Sequence, residues 1–252
     1  MTRLNLKLGT DYRLIIGTRT CPSFYALYAG NRGSAPKPEH YLAFAKFIEQ
    51  IYNTFHPWGV ELWNEPEFTT AEAAGMGQYY GAWGNAGLDY GTMVTEVYDY
   101  LRYRTPGMRI IAGASFGLLN TDRALTFLAD AVSRGMNADY WSWHGYIWDY
   151  QVAADNIAFE NLLRFSEDAK KIFNVPQILS ETAVMRRDDL DDPSAFQVRQ
   201  AELLQYLIDK ISYTNIQGIL WYTLANNGWR HTDLVRNSVE MPVYQVWKDN
   251  QE

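Results

Sequence analysis

The sequence predicts an α/β fold, a mostly parallel sheet closed as a (β/α) barrel with helices outside it. Three observations predict it. Short apolar strand-like runs alternate with amphipathic helical stretches along the chain, and that repetition implies right-handed crossovers onto a parallel sheet. No G-x-G-x-x-G or G-x-x-x-x-G-K-[ST] fingerprint follows the first strand, which weakens the competing open, doubly wound, nucleotide-binding sheet. Polar residues crowd the C-terminal ends of the apolar runs, where barrels carry their chemistry.

The elements follow in order. Arg13–Arg19 reads as a strand. Tyr41, Phe44, Ala45, Ile48, Ile51, Tyr52 and Phe55 then recur at helical spacing, and Pro57 and Gly59 end that helix. Val60–Trp63 is the second strand. An aromatic loop leads to a helix around Tyr90–Tyr103, stopped by Pro106-Gly107, and Met108–Gly113 is the third strand. Asn120 or Thr121 caps a helix with Leu125, Leu128, Ala129 and Val132 on one face, and Gly135 terminates it. Asp139–His144 is the fourth strand, Phe159–Phe173 a helix, and Gln177–Ser180 the fifth strand. Ala195–Ile211 is a helix, Gly218–Leu224 the sixth strand, and Pro242–Trp247 a last short helix.

Composition narrows the functional classes. A chain of 252 residues that is 47% hydrophobic can fill a core without disulfides or metals, which excludes disorder and coiled coil. The net charge of -7 argues against nucleic acid or an anionic membrane as partner. No run approaches the ~20 apolar residues of a membrane helix. The first residues lack a signal-peptide pattern, so the expected compartment is cytoplasmic unless a leader has been removed. Cys21 is the only cysteine, with no readable His partner, and is expected to be a buried bystander. His40, His56 and His231 show no metal-ligand spacing, so neither a metal nor another cofactor is expected. Trp229, His231 and Asp233 follow the sixth strand and are candidates for the rim of a site.

Two carboxylates stand out. Glu65 lies in Leu62-Trp-Asn-Glu-Pro66, and Pro66 stops strand pairing, so Glu65 is expected as the last strand residue, aimed into the mouth. Glu181 lies in Ile178-Leu-Ser-Glu-Thr182, again directly after an apolar run. Two carboxylates at one end of a parallel sheet can face each other across a pocket, as glycoside hydrolysis requires: one acid to protonate the leaving oxygen, one carboxylate to attack or to activate water.

At these residues the sequence resembles clan A, the (β/α)8-barrel retaining glycoside hydrolases of TIM type. Trp63-Asn64-Glu65-Pro66 and Ser180-Glu181-Thr182 match, in the right order, the clan's Asn-Glu pair ending strand four and its second Glu ending strand seven. The resemblance implies that Glu65 is the acid/base, Glu181 the nucleophile, and Asn64 a ligand of the sugar 2-hydroxyl. His144-Gly-Tyr146 resembles the strand-six element that touches nucleophile and substrate, and Trp221 the strand-eight tryptophan that floors the sugar site.

The resemblance also implies a deficit. If Glu65 ends strand four, Arg13–Arg19 is strand three, and the first two βα units have no room before it. The expected fold is therefore an N-terminally shortened barrel of about six recognisable βα units in one domain, residues 1–252, with Leu4–Leu8 as a candidate extra strand. The clan's strand-two arginine has no counterpart. Open sheet edges then predict self-association, most simply a two-fold dimer. The expected activity is retaining cleavage of β-linked sugars. The alternative is a weak or inactive barrel that binds carbohydrate or serves as an assembly module.

Overall fold

The computed structural model describes residues 13–29, 31, 33–69, 83–148, 157–185, 193–211, 213–222, 235–236 and 239–250. Among them six strands form one sheet: β1 (Ile15–Gly17), β2 (Gly59–Leu62), β3 (Arg109–Ser115), β4 (Tyr140–Trp148), β5 (Gln177–Met185) and β6 (Ile216–Trp221). Every neighbouring pair is parallel and the order is sequential, β1 to β6. Helices α1 (Tyr41–Phe55), α2 (Ala86–Leu101), α3 (Thr121–Ser133), α4 (Ile157–Ile172) and α5 (Pro193–Ile211) make the crossovers, and α6 (Pro242–Asp249) follows the small antiparallel pair β7 (Val235–Arg236) and β8 (Val239–Glu240). A cavity of about 260 Å³ is lined by Arg13 and Ile15 at one end of the sheet and by Gln217, Gly218 and Leu220 at the other, so the sheet curls until its end strands face each other. This is a truncated (β/α) barrel, as predicted.

The core lies between sheet and helices because alternate strand residues point outward. Val60 and Leu62 of β2, Ala112 of β3, Trp141 and Trp143 of β4 and Leu179 of β5 meet Ile48 of α1, Val94 and Val97 of α2, Leu128 of α3 and Phe165 of α4. Each of the Val, Leu, Ile and Phe side chains among them contributes roughly 1.5–3 kcal/mol by leaving water. The Asn120 side chain caps α3 by accepting the Arg123 N–H at 3.2 Å, which decides between the two caps the sequence offered, Asn120 and Thr121.

Several strand boundaries differ from expectation. β4 and β5 run to Trp148 and Met185, well past His144 and Ser180. The far end of β5 is satisfied by Gln200 of α5, which donates to the Val184 carbonyl at 2.7 Å and accepts its N–H at 2.9 Å. β2 ends earlier than predicted, at Leu62, so Glu65 is not a strand residue. Leu4–Leu8 and the Trp229, His231 and Asp233 group lie outside the described residues.

Candidate active site

The carboxyl-terminal ends of β2 and β3 leave regular geometry together. Trp63 (φ 76), Glu65 (φ 48) and Ala114 (φ 51) adopt left-handed backbone, which costs of order 1–3 kcal/mol at a non-glycine residue. The ladder hydrogen bonds lost there are replaced by side-chain hydroxyls. Thr18 donates to the Glu61 carbonyl at 3.1 Å and accepts the Trp63 N–H at 2.9 Å. Tyr90 of α2 donates to the Leu62 carbonyl at 2.6 Å and accepts the Gly113 N–H at 2.7 Å. Ser142 accepts the Ala114 N–H at 2.7 Å and donates to the Ala112 carbonyl at 3.3 Å. Gly113 (φ 117) is obligatory here, because a Cβ would fall 2.1 Å from the Ser142 carbonyl oxygen. The turn that carries Asn64 and Glu65 is therefore held by specific bonds, and the Glu65 N–H adds one to the Ala114 carbonyl at 2.8 Å.

Glu181 is positioned differently. Across β4 and β5, Ser142 pairs with Ile178, Trp143 with Leu179, and His144 with Glu181. Ser180 is thus an extra residue, a bulge, which shifts the inward–outward alternation by one place. Strict alternation from the outward Leu179 would turn Glu181 out toward the helices. The bulge turns it in, beside His144.

His144 is where the elements meet. Its ring is fully buried, with Nδ1 3.3 Å from Oε1 of Glu65 and 3.8 Å from Oε2 of Glu181. Those two distances cap the separation of the two oxygens at about 7 Å. Burial pulls the imidazole pKa down, but attraction to Glu181 and the contact with Glu65 prevail and push it up to about 9. His144 is accordingly an imidazolium at neutral pH, a cation between two acidic side chains. Tyr146, two residues along β4 and on the same face, donates its hydroxyl to Oε2 of Glu181 at 2.5 Å. Burial and the Glu181 charge hold the phenol well above its ordinary range, so it remains a donor.

Trp221 ends β6, pairs with Thr182, and packs half-buried against the cluster of Tyr146, Ala183 and Met185. The structure thus brings Glu65, Glu181, His144 and Tyr146 into one contact chain with Trp221 at its edge. Asn64 is half-buried in the turn between Trp63 and Glu65. Cys21 is half-buried, and burial pushes its thiol up to about 11, the wrong direction for a nucleophile.

Two further carboxyls escaped the sequence reading. Glu61 lies between the outward Val60 and Leu62, so β2 turns it into the barrel. Its enclosed carboxyl faces Ser142, Ser180 and His144, and burial raises its pKa despite them. The signal was present: a charged residue at the inward position of a barrel strand. Glu67 is buried beside Ser115 and Phe116, and nothing in its spacing marked it. Among the described residues no group of His, Cys, Asp and Glu side chains could hold a metal ion.

No protein-family model and no curated protein matches the chain. Solved structures do. An endo-beta-1,3-glucanase of family GH128 from Sorangium cellulosum aligns with 81% of this chain and 74% of its own at 20% identity, TM-score 0.53. A GH128 endo-beta-1,3-glucanase from Amycolatopsis mediterranei, in complex with laminarihexaose, aligns over 96% of this chain and 99% of its own at 14% identity, TM-score 0.57. The GH53 catalytic domain of Ignisphaera aggregans covers 94% of this chain and 73% of its own at 14% identity, TM-score 0.60. At these identities the similarity is one of fold.

Proposed function

We propose that this chain, as one catalytic unit over residues 1–252, is a glycoside hydrolase that cleaves β-linked sugars with retention. One observation carries the reading: carboxyls from two distant segments, the turn after β2 and the strand β5, approach the same buried imidazole, with their facing oxygens within about 7 Å of each other. Carboxyl separations of ~5–5.5 Å accompany retention and ~6.5–9.5 Å inversion, and the retaining value falls inside that cap. The fold neighbours, glucanases among them, support the substrate class.

In the proposed mechanism Glu181, 28% exposed, attacks the anomeric carbon while Glu65 passes its proton to the departing oxygen. The bond to the leaving group breaks, and a glycosyl ester forms on Glu181. Glu65, now ionised, takes a proton from water as that water displaces Glu181, which restores both groups. Tyr146 orients Glu181 through its hydroxyl, and His144 lies beside it. Asn64 contributes to sugar binding and Trp221 to the floor of the site. Aryl β-glycosides test the proposal: hydrolysis is expected, and binding without turnover would favour a carbohydrate-binding remnant.

We further propose a homodimer. Among the described residues the outer edges of β1 and β6 have no strand partner, and Leu220 is exposed beside the cavity they frame. Sedimentation should give a dimer at micromolar concentration; a well-folded monomer would contradict it.

A further inference from the structure

Glu67 stands two residues beyond Glu65 and takes no part in the mechanism above. It is 3% exposed. Its Oε1 accepts the Ser115 hydroxyl at 3.1 Å and also the Phe116 N–H. Both donors belong to the rim of β3, immediately after Ala114. Ala114 is the residue whose carbonyl accepts the Glu65 N–H, and it shares the left-handed backbone of Glu65.

The contacts close a ring. It runs from the Glu65 N–H to the Ala114 carbonyl, along Ser115 and Phe116 to the Glu67 carboxyl, and back through Pro66 to Glu65. Pro66 fixes one of the ring's dihedrals. Only two non-covalent links hold it, the Glu65 N–H bond and the Glu67 carboxyl. Loss of the second leaves the Glu65 N–H bond and the Tyr90 bridge as the ties between the two rims beyond the ladder. The segment that carries Glu65 is then anchored on one side only, and the 3.3 Å approach of its carboxyl to His144 is less tightly enforced.

We propose that Glu67 is the positioning residue of Glu65, a clamp between the two rims that aims the Glu65 carboxyl at the leaving oxygen. The inference rests on the assignment of Glu65 as acid/base. The charges around the clamp agree with it. Burial raises the Glu67 carboxyl to about 7, against its own and the Phe116 backbone N–H groups, with Glu65 adding to the rise and His144 opposing it. Oε2 has no hydrogen bond among the described residues. Glu67 is therefore held by one oxygen, and Gln at this position keeps that acceptor.

A leaving-group comparison separates aim from stability. The kcat/KM for a 2,4-dinitrophenyl β-glycoside, whose phenolate departs without a proton, is set against that for the phenyl β-glycoside, which needs one. General acid catalysis is worth roughly 10²–10⁴-fold. Glu67→Ala should lower the phenyl value by on the order of 10²-fold and leave the dinitrophenyl value within about threefold. Glu67→Gln should recover most of the loss, and Ser115→Ala should show a smaller loss with the same selectivity, which keeps the test alive if Glu67→Ala does not fold. Equal losses on both substrates, or none on either, would overturn the clamp.

Failure of the underlying reading looks different. If the unmodified chain hydrolyses neither glycoside, the glycosidase assignment falls, and the clamp is read from ¹³C-carboxyl spectra instead. There Glu67→Ala should move the Glu65 resonance and leave Glu181 in place, and Glu67→Gln should move it clearly less. An unmoved Glu65 resonance would overturn it.

Discussion

The two carboxyls at the centre of this molecule are held by opposite means. Glu181 sits inside the nine-residue strand β5, paired in register with β4 on both sides of one bulge, and takes a further bond from Tyr146. Glu65 sits outside any strand, in left-handed backbone, at a rim where Thr18, Tyr90 and Ser142 hydroxyls replace the ladder. A ladder distributes the work of positioning over many equivalent bonds. A rim patched by hydroxyls concentrates it in a few. The residue that must stay fixed as a nucleophile has the redundant support, and the residue that must give up and retake a proton has the adjustable one.

The largest expected effect tests the ladder side. Glu181→Gln should lower kcat on aryl β-glycosides by on the order of 10⁴-fold or more while the chain stays folded, because the strand holds either residue, with a fall in the thermal midpoint limited to the lost attraction to His144. Substantial residual turnover would remove Glu181 from the mechanism.

Next comes the rim. Tyr90→Phe strips one hydroxyl that serves two buried backbone groups, the Leu62 carbonyl and the Gly113 N–H. At roughly 1–3 kcal/mol for each buried group left unpaired, urea denaturation should show a loss of about 2–6 kcal/mol. A loss below about 1 kcal/mol would mean that the rim is not held as described.

A pH titration probes the point where the two regions meet. The His144 pKa is raised in the fold to about 9 from an ordinary 6.5. Its contribution is therefore fully present below about 6.5 and is lost as pH rises through 9. The span corresponds to about 3 kcal/mol at most. His144→Gln should flatten that slope in stability measured against pH, and an unchanged slope would place the charge elsewhere.

The smallest effect returns to the ladder. Thr182→Val removes one hydroxyl that donates to the Gly145 carbonyl at 2.8 Å within a strand pair already bonded along its length. About 1 kcal/mol should be lost, clearly less than for Tyr90→Phe. Equal losses at the two positions would erase the contrast between ladder and rim.

The outward face of the barrel was legible in the sequence because helices pack there, and packing imposes periodicity. Tyr41–Phe55 became α1 residue for residue, and Asn120 capped α3. Glu65 and Glu181 were visible through the residues that flank them. The expectation that they face one pocket was also readable, but the backbone that turns them there was not. The inward turn of Glu181 depends on the Ser180 bulge, and a bulge is a property of two strands in register, which no single segment encodes. The backbone reversal at Trp63 and Glu65 is likewise enforced from outside, by Thr18, Tyr90 and Ala114, through bonds that span between 28 and 49 positions. Glu61 was recoverable from alternation along β2. Glu67 was not, since its partners Ser115 and Phe116 lie on another strand's rim.

Covalent trapping tests the convergence of the two carboxyls most directly. The chain would be incubated with 2-deoxy-2-fluoro aryl β-glycosides of gluco and xylo configuration, digested, and read by peptide mass spectrometry. A single glycosyl adduct on Glu181, absent from the Glu181→Gln variant, is the predicted result. An adduct on Glu61, Glu65 or Glu67, or hydrolysis of the parent aryl glycosides with no adduct from either analogue, would contradict the account.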